Sequence, residues 1–133
     1  MNSRSEPLWI EAYDVVVLHN QLIALDGGAA GLRSAALLES ALARPKQMLT
    51  YAKSPDIITM ASAYTAGIVR NHPFVDGSKR TGFVVGALFL ELHGYRFAAS
   101  EEDATQAILG LAAGTRDEAA FTGWLRARVE EQT

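Results

Sequence analysis

The sequence predicts a compact all-α domain of about six helices. Apolar residues recur at three- and four-residue spacing along most of the chain. Glycine, proline and capping residues interrupt that pattern at helix-length intervals. No convincing run alternates apolar and polar residues as a half-buried strand would; Tyr95-Arg96-Phe97 or residues 48–51 could make a short hairpin at most.

The first helix is expected from Pro7 or Leu8 to about Leu25. Trp9, Tyr13, Val16, Val17, Asn20 and Ile23 fall at helical spacing, with Glu11 and Asp14 on the other face. Asp26, Gly27 and Gly28 supply its stop. His19 lies between these registers and reads as a partly buried histidine hydrogen-bonded to a neighbouring loop. Residues 27–33 form a glycine-rich turn. They lack the spacing of a phosphate-binding fingerprint, so their glycines read as turn residues. Ser34 can cap a short helix over residues 35–43, which Arg44-Pro45 should break. Residues 46–54 have no clear period and read as an irregular segment packed down through Met48, Leu49 and Tyr51.

Ser54-Pro55-Asp56 is a strong helix start: a capping serine, a proline in the first turn and a carboxylate at the positive end of the dipole. That helix should reach Asn71, where Pro73 disfavours helical geometry at His72. The next helix should run from Ser78 or Lys79 to His93. It is so apolar on all sides, from Phe83 to Leu90, that the central place in the bundle is expected for it. Ser100 to Asp103 and Thr115 to Glu118 share a capping pattern and suggest two further helices. The second of these should present Phe121, Trp124, Leu125 and Val129 on one face, with the charged last residues fraying.

The chain has 133 residues, the size of one domain. No repeat, linker or low-complexity tract divides it, so residues 1–133 read as a single unit. Cysteine is absent, which excludes disulfides and thiolate metal sites. A net charge of −3 gives no general footprint for nucleic acid. Residues 1–7 have no apolar core of a signal peptide, and the longest apolar run is far short of the ~20 residues that span a bilayer. A cytoplasmic protein without direct nucleic-acid or membrane partners is expected.

The chemistry concentrates in residues 71–81, Asn-His-Pro-Phe-Val-Asp-Gly-Ser-Lys-Arg-Thr. His72 is the loop's group that can exchange a proton near neutrality. Asp76 is a hard oxygen ligand suited to one vertex of Mg²⁺. Gly77 permits a turn that aims the N–H groups of the following helix start at an anion. Lys79 and Arg80 oppose the helix dipole there and call for a negative partner, for which polyphosphate is the natural choice. Together these residues suit phosphoryl or nucleotidyl transfer. Residue types alone leave a second reading open: a polar corner between helices, with Phe74 pinned in the core and Asp76 paired to Arg80.

Residues 72–81 resemble the signature of the Fic/Doc superfamily in its Doc (death-on-curing) form, His-x-Phe-x-Asp/Glu-Gly/Ala-Asn-Lys-Arg. Gly31-Leu32-Arg33, residues 37–45, Phe89-Leu90 and His93-Gly94-Tyr95 also resemble the family in the expected order, so the likeness runs from about Trp9 to Trp124. The resemblance implies the Fic fold, with the motif loop between two central helices. It implies a toxin of a toxin–antitoxin pair that uses Mg²⁺ and ATP to phosphorylate a hydroxyl of a translation factor similar to elongation factor Tu. Carried onto this sequence, His72 is the general base, Asp76 holds Mg²⁺, and Gly77, Ser78 and Lys79 form the anion cradle. Lys79 and Arg80 bind phosphate, and Phe74 anchors the loop.

Two departures from the wider family matter. Phe83 stands where the usual Fic motif has a second arginine, which favours γ-phosphoryl transfer over AMP transfer. Ser78 stands where the family has asparagine. An AMP-transferase, and a binding module impaired at Ser78, are the alternatives. An inhibitory helix of the Fic kind has no match, since residues 34–39 have the wrong spacing, and an antitoxin acting in trans is expected.

Overall fold

A computed structural model describes residues 6–51 and 56–132. In chain order the elements are α1 (Ala12–Asp26), α2 (Ala35–Tyr51), α3 (Ile57–Asn71), α4 (Ser78–Leu92), β1 (Tyr95–Phe97), α5 (Glu101–Ala113), α6 (Glu118–Arg126) and β2 (Val129–Glu131). Among the described residues the expected all-α bundle of six helices is present, with one two-stranded antiparallel sheet added.

The central helix is α3 rather than α4, whose apolar run led the sequence to favour it. Ile58 and every α3 residue from Met60 to Val69 are buried, whereas Phe83, Val84, Ala87 and Leu88 of α4 keep partial exposure. The cause is side-chain size rather than hydropathy. Ala61, Ser62, Ala63, Thr65, Ala66 and Gly67 let neighbours approach α3 from several sides. A methyl group at Gly67 would lie 3.1 Å from Ala41 Cβ of α2, and one at Gly86 of α4 would collide with Thr65 Oγ1. Thr65 Oγ1 donates to Gly82 O at 2.8 Å, which ties α3 to α4 side by side. On a third side, Thr122 of α6 bonds Ser62 Oγ.

Several boundaries differ from the sequence expectation, each for a tertiary reason. Helix α1 begins at Ala12, because the preceding residues are held extended across the bundle. Leu8 N–H donates to His93 Nε2 at 2.9 Å and Ile10 N–H to the Tyr64 hydroxyl at 3.0 Å. Burial pushes the Tyr64 hydroxyl up to about 12, so it stays neutral in this contact. Pro45 does not end α2, which continues to Tyr51. Its missing N–H leaves Ala41 O without the usual helical donor, at the place where Gly67 packs closest. The expected irregular segment is therefore helical up to residue 51, and residues 52–55 lie outside the described residues.

Ser54 and Pro55 also lie there, and the cap of α3 is Asp56, whose carboxylate accepts from Ile58 N and Thr59 N. Ser100 caps α5 as expected. Thr115, in contrast, serves the end of α5 through Gly110 O, and Asp117 caps α6. Val129 belongs to β2 rather than to α6. It pairs with Phe97, and Glu130 with Arg96, so the charged terminus is a strand bonded to β1.

Candidate functional site

The turn between α3 and α4 carries the predicted site residues. His72 caps α3 in the left-handed conformation, φ 49° and ψ 59°, with its N–H on Ile68 O. Among the described residues it is the sole non-glycine residue with positive φ. Such a conformation costs about 1–3 kcal/mol and persists only where the surroundings impose it. Here they do. Arg33 Nε and an η-nitrogen donate to His72 O and Asn71 O at 2.7 and 2.9 Å. The N–H groups of Arg33 and Ser34 both bond Pro73 O, and Val75 N–H bonds Gly31 O. The His72 side chain remains exposed above this backbone clamp.

Phe74 is 1 % exposed and does anchor the turn. Its ring lies against the buried ring of His19, and its N–H donates to Ser78 Oγ at 3.2 Å. Ser78 is itself 2 % exposed, so its hydroxyl faces into the loop and satisfies a main-chain donor.

Asp76 is exposed, and each carboxylate oxygen takes one main-chain N–H: Gly77 N on Oδ1 at 3.0 Å and Ala29 N on Oδ2 at 3.2 Å. The remaining lone pairs are free for a cation. Gly28 has to be glycine for this approach. Its φ is 115°, and a methyl there would meet Asp76 Oδ2 at 2.9 Å. Among the described residues no cluster of three or more His, Cys, Asp or Glu could hold a metal by protein ligands alone. Asp76 thus fits an ion such as Mg²⁺ that takes its other ligands from water and phosphate.

Gly77 adopts φ 80° and opens α4, where Thr81 N–H on Gly77 O is the first helical bond. The N–H groups of Ser78, Lys79 and Arg80 precede it and have no helical acceptor. Such free N–H groups favour an anion, and here they lie beside the Asp76 carboxylate. Lys79 and Arg80 are exposed at the same place. Arg80 does not lack a negative partner, as its position in the sequence suggested. Its Nε lies 2.9 Å from Asp26 Oδ2 at the end of α1, and Asp76 is not its partner. An exposed pair of this kind is weak, so phosphate can compete for the guanidinium.

Below Lys79 and Arg80 opens a cavity of about 450 Å³ walled by Phe83, Val84, Phe97 and Ile108. Phe83 and Phe97 meet edge to face, with centroids 5.3 Å apart. Its walls come from α4, β1 and α5, which no local motif connects, so no stretch of residues announced it. Residue-level reasoning also missed what Ala29 and Arg33 do. Gly27, Gly28 and Gly31 announced a turn, but nothing in them says which loop the turn supports. His19 does bond a neighbouring loop: its Nε2 donates to Asp76 O at 2.7 Å.

With His72, Phe74, Asp76, Gly77, Ser78, Lys79 and Arg80 thus assembled on one turn, the chain was compared with known proteins. Over 74 residues it is 35% identical to a protein named Toxin Doc from Mycolicibacterium smegmatis, a match covering 55% of this chain and 57% of that protein. Over 93 residues it is 27% identical to one named Protein kinase doc from Escherichia phage P1, covering 70% of this chain and 74% of that protein. The chain therefore aligns with little more than half the length of the first relative. Residues 9–90, which include α1 to α3, the turn and most of α4, match the model of one family, and the chain belongs to it: the Fic/DOC family.

Proposed function

We propose that this chain is the toxin of a toxin–antitoxin pair: a Doc-like transferase that moves the γ-phosphate of ATP, with Mg²⁺, onto a hydroxyl of a cytoplasmic translation factor similar to elongation factor Tu. The observation that carries the reading is the turn itself. An exposed imidazole, a free carboxylate edge and three unpaired helix N–H groups lie within nine residues and are braced from three sides. Family membership and the names of the two relatives, one a toxin and one a protein kinase, support it.

In this reading His72 takes the proton of the substrate hydroxyl on an imidazole nitrogen. The freed oxygen bonds the γ-phosphorus as the bond to the β-phosphate oxygen breaks, and ADP leaves. The N–H groups of Ser78 and Lys79, beside Gly77, hold the transferring phosphoryl oxygens, and Lys79 and Arg80 neutralise the phosphate chain. Asp76 holds Mg²⁺, which when bound offsets charge on the phosphate oxygens. The cavity beneath Lys79 and Arg80, with its aromatic walls, suits the nucleobase. Ser78 keeps the backbone donor that the cradle needs, and its buried hydroxyl serves the loop. That supports competence rather than impairment.

The test is mass spectrometry of elongation factor Tu incubated with the purified chain, ATP and Mg²⁺. A gain of one phosphoryl group, lost with His72→Ala and suppressed by a co-expressed antitoxin, is the expected result. Gain of an adenylyl group would make the chain an AMP-transferase. Nucleotide or target binding with no modification would make it a binding module.

A further inference from the structure

We infer that Arg33 is a positioning residue for His72. The inference rests on the reading of His72 as the general base. The α3 helix ends on carbonyls that have no helical donors, at the negative end of its dipole. Arg33 covers the last of them and the carbonyl that follows, at Pro73. Its guanidinium spans Asn71 O and His72 O along one edge, at 2.9 and 2.7 Å, and its own N–H bonds Pro73 O. Between those fixed carbonyls lies the left-handed His72 peptide. The backbone angles there decide where the Cα–Cβ bond points, and hence where the exposed imidazole stands relative to the helix start six residues on. A lysine, whose three donors radiate from a single nitrogen, lacks the planar fork that reaches two carbonyls in a fixed geometry. Its hydrogen bonds, those of Arg33, go to Asn71, His72 and Pro73 and none goes to Asp76 or residues 77–80, so its route to the site is through the backbone that carries His72.

The side chain can be removed without detaching the loop, because the main-chain bonds of residues 33 and 34 to Pro73 O remain. The experiment compares Arg33→Ala and Arg33→Lys with the unaltered chain in ATP-dependent transfer. It is joined to backbone ¹³C shifts of Asn71 and His72 by NMR. A misdirected base should lower kcat of Arg33→Ala by roughly 10- to 100-fold, with KM for ATP changed less than about twofold. Added guanidinium ion at tens of millimolar should restore part of kcat, and the same concentration of sodium chloride should not. Arg33→Lys should fall between. The His72 shifts should move in Arg33→Ala away from their left-handed values.

Unchanged kcat would overturn the inference, as would a joint loss of kcat and ATP affinity without guanidinium rescue, or His72 shifts identical to those of the unaltered chain. If no chain transfers phosphate, or if His72→Gln stays active, the base reading fails on its own. The NMR comparison still decides whether Arg33 holds His72.

Discussion

The imidazole of His19 lies flat on the ring of Phe74, with centroids 3.8 Å apart and planes 8° from parallel. The same imidazole donates from Nε2 to the carbonyl of Asp76. One buried side chain of α1 thus holds both the apolar anchor and the polar end of the motif turn. His19→Phe keeps a ring for the stack and removes the donor. It should destabilise the fold by about 1–3 kcal/mol, the usual cost of an unpaired buried polar group. It should also weaken Mg²⁺-dependent ATP binding, because Asp76 and Gly77 lose their support. Urea midpoints and titration calorimetry check the two effects; an unchanged ATP affinity would restrict His19 to packing.

Ser78 separates two views of the cradle. Its hydroxyl accepts the Phe74 N–H in a buried place, so Ser78→Ala strands that donor and should cost about 1–3 kcal/mol. Ser78→Asn retains an acceptor at similar reach and should leave transfer within a few-fold of the unaltered chain. Thermal melts and transfer rates of both variants decide the matter. A large gain of activity in Ser78→Asn would mean that the serine impairs the site.

The Arg80–Asp26 pair bears on nucleotide affinity. The guanidinium is engaged by a carboxylate of α1, with which, on the proposed reading, ATP would compete. The pair is half-exposed and worth ~0–1 kcal/mol. Asp26→Asn should therefore tighten ATP binding by up to about fivefold at low salt, with the gain shrinking as salt rises. Isothermal titration at two ionic strengths reads this directly. No change would mean that Arg80 does not meet the phosphates.

What the sequence made legible was mostly local. Residues 72–80 announced a turn because spacing, a pre-proline break and a helix start coincide there. Ser100 and Gly94 marked their helix ends for the same reason. The misreadings came where distant partners decide. Pro45 is accommodated because α2 is held against Gly67 of α3, a contact that no propensity scale contains. Val129 left its helix to pair with Phe97, and three-residue strands are too short to show a period. Of the site, the turn was visible, but its bracing by His19, Ala29 and Arg33 and the cavity beneath it were not. Those contacts join α1 and the glycine-rich segment to residues about 40 or more positions on. The glycines at 28 and 31 were the one clue, since a turn that demands positive φ usually packs against something.

Acid stability should depend on Asp103. Its carboxylate bonds Arg128 Nε, and Trp124 Nε1 donates to it at 3.1 Å, which joins α5 to the end of α6. The Arg128 hydrogen bond foremost, then that of Trp124, holds the carboxyl below its ordinary value of 3.8. A carboxyl lowered on folding contributes stability above its unfolded-state value and loses it as pH falls through the folded one. The contribution of Asp103 is therefore whole at neutral pH and declines once the pH drops below about 4. Asp103→Asn should lower the urea midpoint at pH 7, and the gap to the unaltered chain should narrow steadily on acidification. A gap that stays constant down to pH 3 would show that the contact acts through shape and not through charge.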